Sequence, residues 1–400
     1  MATVAIIGRN YTSRLGMIRA VGELGHQVIV IKTARALPRK FRGAKDIDGY
    51  SKYVSKYLYA LEPDRNNLIK AILSLKKNTS EKAILIPVDD YAASTIDENI
   101  EILKESFLFP NISMQQGAVN SLMDKETQKR VARKSGLNVT GGWTIYIKDG
   151  TYSIPEDIRY PCFPKPQISF MGDKRCMRKC SNEEELKTIM DEVASQRDCP
   201  MLIEEFCDID KEYATLGFSD GKNVVLPAML RMLQDGSGPH KGVTLQGEVL
   251  PSSEFEKYFN LLRKFILDIG FIGLFDVDSF ESSGKLYFNE LNLRFGASGY
   301  SITYMGVNLP HLLINHLLGN ENDYSRCEIR KRAIFVNEKV VNDDYEGGYI
   351  DKRMFKNYLN SAYFCFIQSK TDPMPWLMFH VQRQLRYFKN VIKRIIRWKK

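Results

Sequence analysis

The sequence predicts an α/β protein with a parallel sheet at its N-terminus, mixed α+β structure through the middle and a basic amphipathic helix at its C-terminus. Three observations carry this expectation. Residues 3–7 (TVAII) and 28–31 (VIVI) are short apolar runs separated by a helical stretch, a β-α-β order that requires a right-handed crossover and parallel strands. Residues 271–300 read as two alternating strands joined by Ser282, Ser283 and Gly284. From Pro375 onward there are eight Lys or Arg and no Asp or Glu, with apolar residues at three- and four-residue steps.

A length of 400 residues points to two or three domains, and 44% hydrophobic with 26% charged residues is ordinary globular composition. No apolar run approaches the roughly 20 residues that span a bilayer. The opening MATVAIIGRN reads as a strand entering a turn, without the basic start of a signal peptide, so a cytoplasmic location is expected. Seven cysteines are scattered, and Cys176 and Cys180 have no second pair at zinc-ligand spacing, which favours reduced thiols. The net charge of +9 falls to +1 without the eight basic residues of the tail, so the body gives no reason to expect a nucleic-acid partner.

Taken in order, the first strand runs into Gly8-Arg9-Asn10, and residues 15–24 read as a helix stopped by Gly25. Gly8 stands alone, which argues against a dinucleotide fingerprint. Residues 66–77 look helical and 83–86 form another strand, with Asp89 and Asp90 just past its carboxyl end. Ligands of open α/β sheets sit there, so Arg9, Asn10, Asp89 and Asp90 either line a substrate crevice or cap helices, Asp90 being the expected N-cap of a helix through Ile102. Asp124 and Lys125 open a helix that Gly136 stops, residues 143–147 are a strand, and Lys165 lies between prolines in an extended segment. A loop over 168–175 follows, then a helix over 183–195 capped by Asn182, and a strand over 201–206 ending in Glu204, Glu205 and Phe206. Residues 212–226 make a hairpin, 227–249 read as polar loop chemistry containing Arg231 and His240, and 255–269 as an amphipathic helix.

The hairpin that follows carries the densest chemistry. Side chains two apart on a strand share a face, so Asp276 and Asp278 share one, as do Glu290, Asn292 and Arg294. Such a set suits Mg²⁺, which takes oxygen from one or two carboxylates plus substrate phosphates. A solvated polar face is the plainer reading of the same residues.

The order of these parts resembles the ATP-grasp superfamily over residues 1–320, including the α/β domain that precedes the grasp in biotin carboxylase and carbamoyl phosphate synthetase. A lysine opens a helix, a second precedes a loop, an acidic strand end follows, and an acid hairpin closes with Glu290-Leu-Asn292-Leu-Arg294. The resemblance implies a pre-ATP-grasp domain at 1–115, a two-lobed α+β grasp at 116–200 and 201–330, a closing segment at 331–375 and a tail at 376–400. It implies that Lys125 and Lys165 hold nucleotide phosphates, that Glu204, Glu205 and Phe206 read adenine, and that Glu212 binds ribose. Asp276, Glu290 and Asn292 would be the metal ligands for two Mg²⁺ ions, with Mn²⁺ as a substitute. Asp278, unclaimed by the family pattern, would support them. Arg294 would steady the transferring group, and Gly296, Ser298 and Gly299 would admit substrate. The loop departs from the family in having only Gly172, with Lys174 and Arg175 supplying charge instead.

The implied reaction is ATP-dependent joining of a carboxylate to an amine through an acylphosphate, catalysed by position and charge. Arg231 would clamp the carboxylate of an amino-acid substrate, beside Arg9, Asp89 and Ser298. Residues 345–351 and 371–375 resemble the closing segment of D-aspartate ligases and related stand-alone ligases of bacterial envelope synthesis. The tail, with Val381, Leu385, Phe388, Ile392 and Ile395 in line and Trp376 and Trp398 at its ends, reads as an anchor for an anionic membrane surface on the cytoplasmic side. Docking on the body is its alternative. A lipid-linked envelope or polysaccharide precursor would fit such an anchor, and a homodimer is compatible. Two rivals stay open. One is a carboxylase or synthetase subunit, against which the chain lacks a Met-Lys-Met biotin-carrier motif. The other is a membrane-recruited nucleotide-binding scaffold without catalysis.

Overall fold

The computed structural model describes residues 1–36, 45–76, 81–168 and 176–398, with residue 387 and residues 389–398 as backbone alone. Three sheets organise these residues. The first has five parallel strands in the order Val54–Leu61, Gln27–Ala34, Thr3–Gly8, Ala83–Pro87, Phe107–Leu108. Chain order reverses beside Thr3–Gly8, so the carboxyl ends of that strand and of Ala83–Pro87 flank the switch-point crevice. Gly8 is required there: a Cβ would lie 2.8 Å from Val88 Cγ2 and 2.9 Å from Asp89 Oδ2.

The second sheet has nine strands. Lys285–Asn292, Phe271–Ser282, Lys211–Asp220, Ala228–Asp235, Thr244–Pro251 and Ala333–Val336 run antiparallel in that order, and Phe364–Cys365 adds in parallel. Helix Glu256–Ile269 covers one face, burying Phe259, Leu262, Phe265 and Ile266 against Phe271, Phe275 and Phe288. Gly270, left-handed at φ 72°, ends that helix. The third sheet pairs Pro200–Glu205 with Gly142–Tyr146 on one side and Cys162–Pro166 on the other. The first two sheets share a core in which Val4, Ile6 and Val30 meet Leu216, Phe218, Leu274 and Phe295.

Several local expectations change. The first helix runs Tyr11–Gly22, capped by Asn10 accepting from Thr12 N, four residues earlier than its apolar pattern predicts. Its start is polar because Arg14 is buried, bonding Asp48 at 2.7 Å, Asp46 at 2.8 Å and the Gly8 carbonyl at 2.7 Å. The helix after Ala83–Pro87 is capped by Asp89, which accepts from Ala92 N at 2.8 Å, and not by Asp90; it ends at Asp97, and a second short helix, Ile100–Leu103, follows. Residues 227–249 hold two strands where loop chemistry is expected, and Arg231 and Thr244 line the cavity there beside the apolar Leu230 and Met232.

The C-terminal helix, Met374–Trp398, seats its first half on the body: Phe379 packs with Leu15, Ile47 and Ile367. Arg19, buried on the first helix, bonds Asp372 at 3.1 Å and the carbonyls of Phe366 and Ile367 at 2.9 and 2.7 Å, tying the chain's two ends together. All seven cysteines are free thiols. Among the described residues no helix is long and apolar enough to cross a membrane.

Candidate active site

One face of the hairpin Phe271–Ser282 and Lys285–Asn292 forms the wall of a 660 Å³ cavity. Register puts Asp276 opposite Asn292 and Asp278 opposite Glu290, so the four polar side chains form a square on that face. The pairing then slips between Asp278 and Ser279, where Ser279 meets Phe288 and Asn289 is the extra residue of a β-bulge. The bulge lets Phe288 enter the core while both Asn289 and Glu290 line the cavity. Simple alternation, as read from the sequence, misses Asn289.

Within the square, Asp278 lines the cavity, whereas Asp276 lies deeper and is not among the lining residues. Asn292 Nδ2 donates to Asp278 Oδ2 at 3.3 Å, and Asn292 Oδ1 accepts from Arg294 Nη2 at 3.1 Å. Arg294 Nε donates to Asp90 Oδ1 at 3.1 Å, with Asp276 Oδ2 3.7 Å from Nη1. Asp90 therefore joins the site as the partner of Arg294. Burial raises the Asp276 carboxyl to about 6, against the pull of Arg294 and with the push of Glu290 and Asp90. Burial, then the charges of Asp276 and Glu290, raise the Asp278 carboxyl well above the usual carboxylate range.

Two lysines face this square. Lys125, first residue of helix Lys125–Lys134, is positioned by Asp124, which caps the helix by accepting from Thr127 N at 2.7 Å; its Nζ lies 3.2 Å from Glu290 Oε1. Lys165, on strand Cys162–Pro166, bonds Asn289 Oδ1 at 3.1 Å and Glu204 Oε1 at 2.7 Å. A third, Lys129, reaches the same Glu204 oxygen and Thr140 Oγ1 from one turn along the helix. Burial lowers the Lys129 ammonium to about 8, with Glu204 opposing the shift. Burial would raise Glu204, but Lys165 and Lys129 hold it below the usual carboxylate range. The sequence reading missed Lys129, which sits in the basic run KETQKRVARK.

The remaining expected residues divide. Glu204, Glu205, Phe206, Glu212, Arg231 and Ser298 all line the cavity. Glu204, however, is engaged by the two lysines, and the amides of Glu205 and Phe206 donate to Gly141 O and Pro161 O, both at 3.0 Å. Arg231 Nη2 donates to Glu248 Oε2 at 2.5 Å, while its buried Nε has no partner among the described residues. Arg9 and Asp89 are not brought to the cavity. Arg9 is held by Glu62, and Asp89 spends its oxygens on Arg9 N at 2.6 Å and the Ala92 cap. Lys174 and Arg175 lie outside the described residues.

The donor set fits a hard divalent cation. Four acids, Asp90, Asp276, Asp278 and Glu290, crowd the Arg294 guanidinium, and the buried Asp276 Oδ1 has no partner among the described residues. Among the described residues no group of three His, Cys, Asp or Glu is placed to hold a metal ion by itself, so these side chains would supply only part of a Mg²⁺ shell.

Residues 130–309 match the family model of the ATP-grasp domain, and the chain carries that domain. Residues are 24% identical over 233 positions to the C-terminal section of the carbamoyl phosphate synthase large chain of Methanocaldococcus jannaschii, 56% of this chain but only 37% of that one. Among solved structures, the L-amino acid ligase of Bacillus licheniformis superposes with a TM-score of 0.62 at 16% identity, covering 84% of this chain and 79% of the other. The biotin carboxylase domain of Hydrogenobacter thermophilus 2-oxoglutarate carboxylase, solved with MgADP and bicarbonate, gives 0.62 at 20% identity, covering 83% and 73%. At these identities the structural likeness establishes the fold.

Proposed function

We propose that this chain is an ATP-dependent carboxylate–amine ligase. The observation that carries the reading is the convergence of Asp278, Glu290, Asn292 and Arg294 with Lys125 and Lys165 around one cavity. Lys125 and Lys165 bind the phosphates of ATP as compact point charges. Asp276, with its unpartnered buried Oδ1, would hold the metal with Glu290 and Asn292, and Asp278 would support Asn292. These residues would hold Mg²⁺, as two ions or with Mn²⁺ in its stead, which would supply charge neutralisation for the phosphates of ATP. The backbone at Cys207, next along the cavity from the engaged amides of Glu205 and Phe206, reads adenine, and Glu212 reads ribose.

The substrate carboxylate attacks the γ-phosphorus as its bond to ADP breaks, giving an acylphosphate. Arg294, fixed by Asp90 and Asn292, holds the transferring group with its planar fork. An amine then displaces phosphate at the acyl carbon, and the phosphate oxygens accept the proton released. The carboxylate substrate is an amino acid or similar small acid. The acceptor is an amine of an envelope or polysaccharide precursor, met at the cytoplasmic face of the membrane; the resemblance of residues 345–351 and 371–375 to D-aspartate ligases and the basic tail support this.

ADP release measured over a panel of carboxylic acids, with and without amines, tests the reading. One acid is expected to make ADP release amine-dependent, and Glu290→Gln to retain nucleotide but lose turnover. ATP binding without carboxylate-dependent ADP release across the panel would overturn it.

A further inference from the structure

The helix Met374–Trp398 has two distinct faces. On the inner one Phe379 enters the cluster with Leu15, Ile47 and Ile367, and Arg383 pairs with Asp343 at 2.7 Å and Glu346 at 2.5 Å. The outer face carries Leu377, Val381, Leu385 and Phe388, which are 47%, 39%, 60% and 58% exposed. Their spacing of four, four and three residues is one helical stripe, and the sequence continues it with Ile392 and Ile395. Single exposed apolar residues are normal on a surface, but a continuous row is a contact site.

We propose that this outer face lies in the interface of an anionic lipid bilayer, with the stripe in the acyl boundary and the basic residues against lipid phosphates. The inference deepens the membrane-side reading above and uses none of the ligase chemistry. Charge selects the occupant. From Pro375 to the end the chain has eight Lys or Arg and no acidic residue, and of these Arg383 is held on the body by Asp343 and Glu346. A second copy would bring the same basic segment against this one, like charge on like. An acidic bilayer complements the charge and also accepts the stripe, the combination that holds interfacial helices in place. The docked inner face orients the helix, so its outer stripe is presented without prior folding on the lipid.

Co-sedimentation of the full chain with phosphatidylcholine vesicles, with or without phosphatidylglycerol, tests this. Binding is expected only to the anionic vesicles and is expected to weaken as salt rises. The triple variant Leu377→Gln, Val381→Gln, Leu385→Gln is expected to lose roughly a hundredfold in affinity. ATP binding and the thermal midpoint of the triple variant should match wild type, because the altered side chains are exposed and do not line the cavity. Equal vesicle binding by wild type and the triple variant would overturn the proposal, as would equal binding to both vesicle types. So would a wild-type dimer in sedimentation velocity that the triple variant abolishes without any vesicle binding, which would make the face a self-interface.

Discussion

Lys129 and Lys165 donate to the same oxygen of Glu204. Two ammoniums share one carboxylate in a buried setting, leaving one positive charge uncompensated and facing the cavity. When a phosphate arrives, Lys165 can move to it while Lys129 keeps Glu204 neutralised. Lys129 is thus a positioning residue for Lys165. Lys129→Met should weaken ATP binding by roughly tenfold or more, with Lys129→Arg restoring it. The sign with pH follows from a Lys129 value lowered to about 8. Below 8 the ammonium is charged and Lys165 is released to the nucleotide; above it Glu204 keeps Lys165 to itself. Wild-type ATP affinity should therefore fall as pH rises through about 8, and the Lys129→Met curve should be flat there. Titration calorimetry across pH 7–9 checks both.

Asp276 and Asp278 separate by mutation. Asp276→Asn should lower the rate of ADP release by about a hundredfold or more, because it removes the unpartnered oxygen available to the metal. Asp278→Asn should leave the rate within about tenfold, since it acts only through Asn292. Initial rates at saturating ATP and magnesium decide between the two aspartates.

Arg294→Lys keeps the charge but loses the fork that reaches Asp90 and Asn292 at once. Turnover should fall by about a hundredfold with little change in ATP affinity. Asp90→Asn should give a smaller loss in the same direction. Single-turnover measurements separate these effects from nucleotide binding.

The knot between the chain's ends sets stability. Asp372→Ala leaves the buried Arg19 with carbonyl partners but no counter-charge, which should cost about 3–5 kcal/mol in urea unfolding. Breaking an exposed pair such as Lys187–Asp191 should leave the urea midpoint essentially unchanged.

Much of the scaffold was readable because local signals agree. The caps at Asp124 and Asn182, the left-handed Gly270 and the hairpin turn at Ser283 and Gly284 all stand where their chemistry predicts. What escaped reading was charge whose meaning depends on distant partners. Arg14 and Arg19 look like a solvated helix face until Asp48 and Asp372, remote in sequence, are brought to them. Lys129 is indistinguishable from Arg130 and Arg133 in the sequence; only helix Lys125–Lys134 packing beside Glu204 singles it out. Asp89 and Asp90 exchanged expected duties because a cap is decided by one residue of backbone geometry.

The bulge at Asn289 has a consequence for how the site can change. Phe288 already pairs with Ser279, and Glu290 with Asp278, so excising Asn289 closes a gap without shifting the register on either side. The hairpin would keep its core face and its carboxylates and lose only the amide that steadies Lys165. Position 289 is thus a removable fitting: a lineage, or an engineer, can add or delete one cavity group there while the rest of the strand keeps its place.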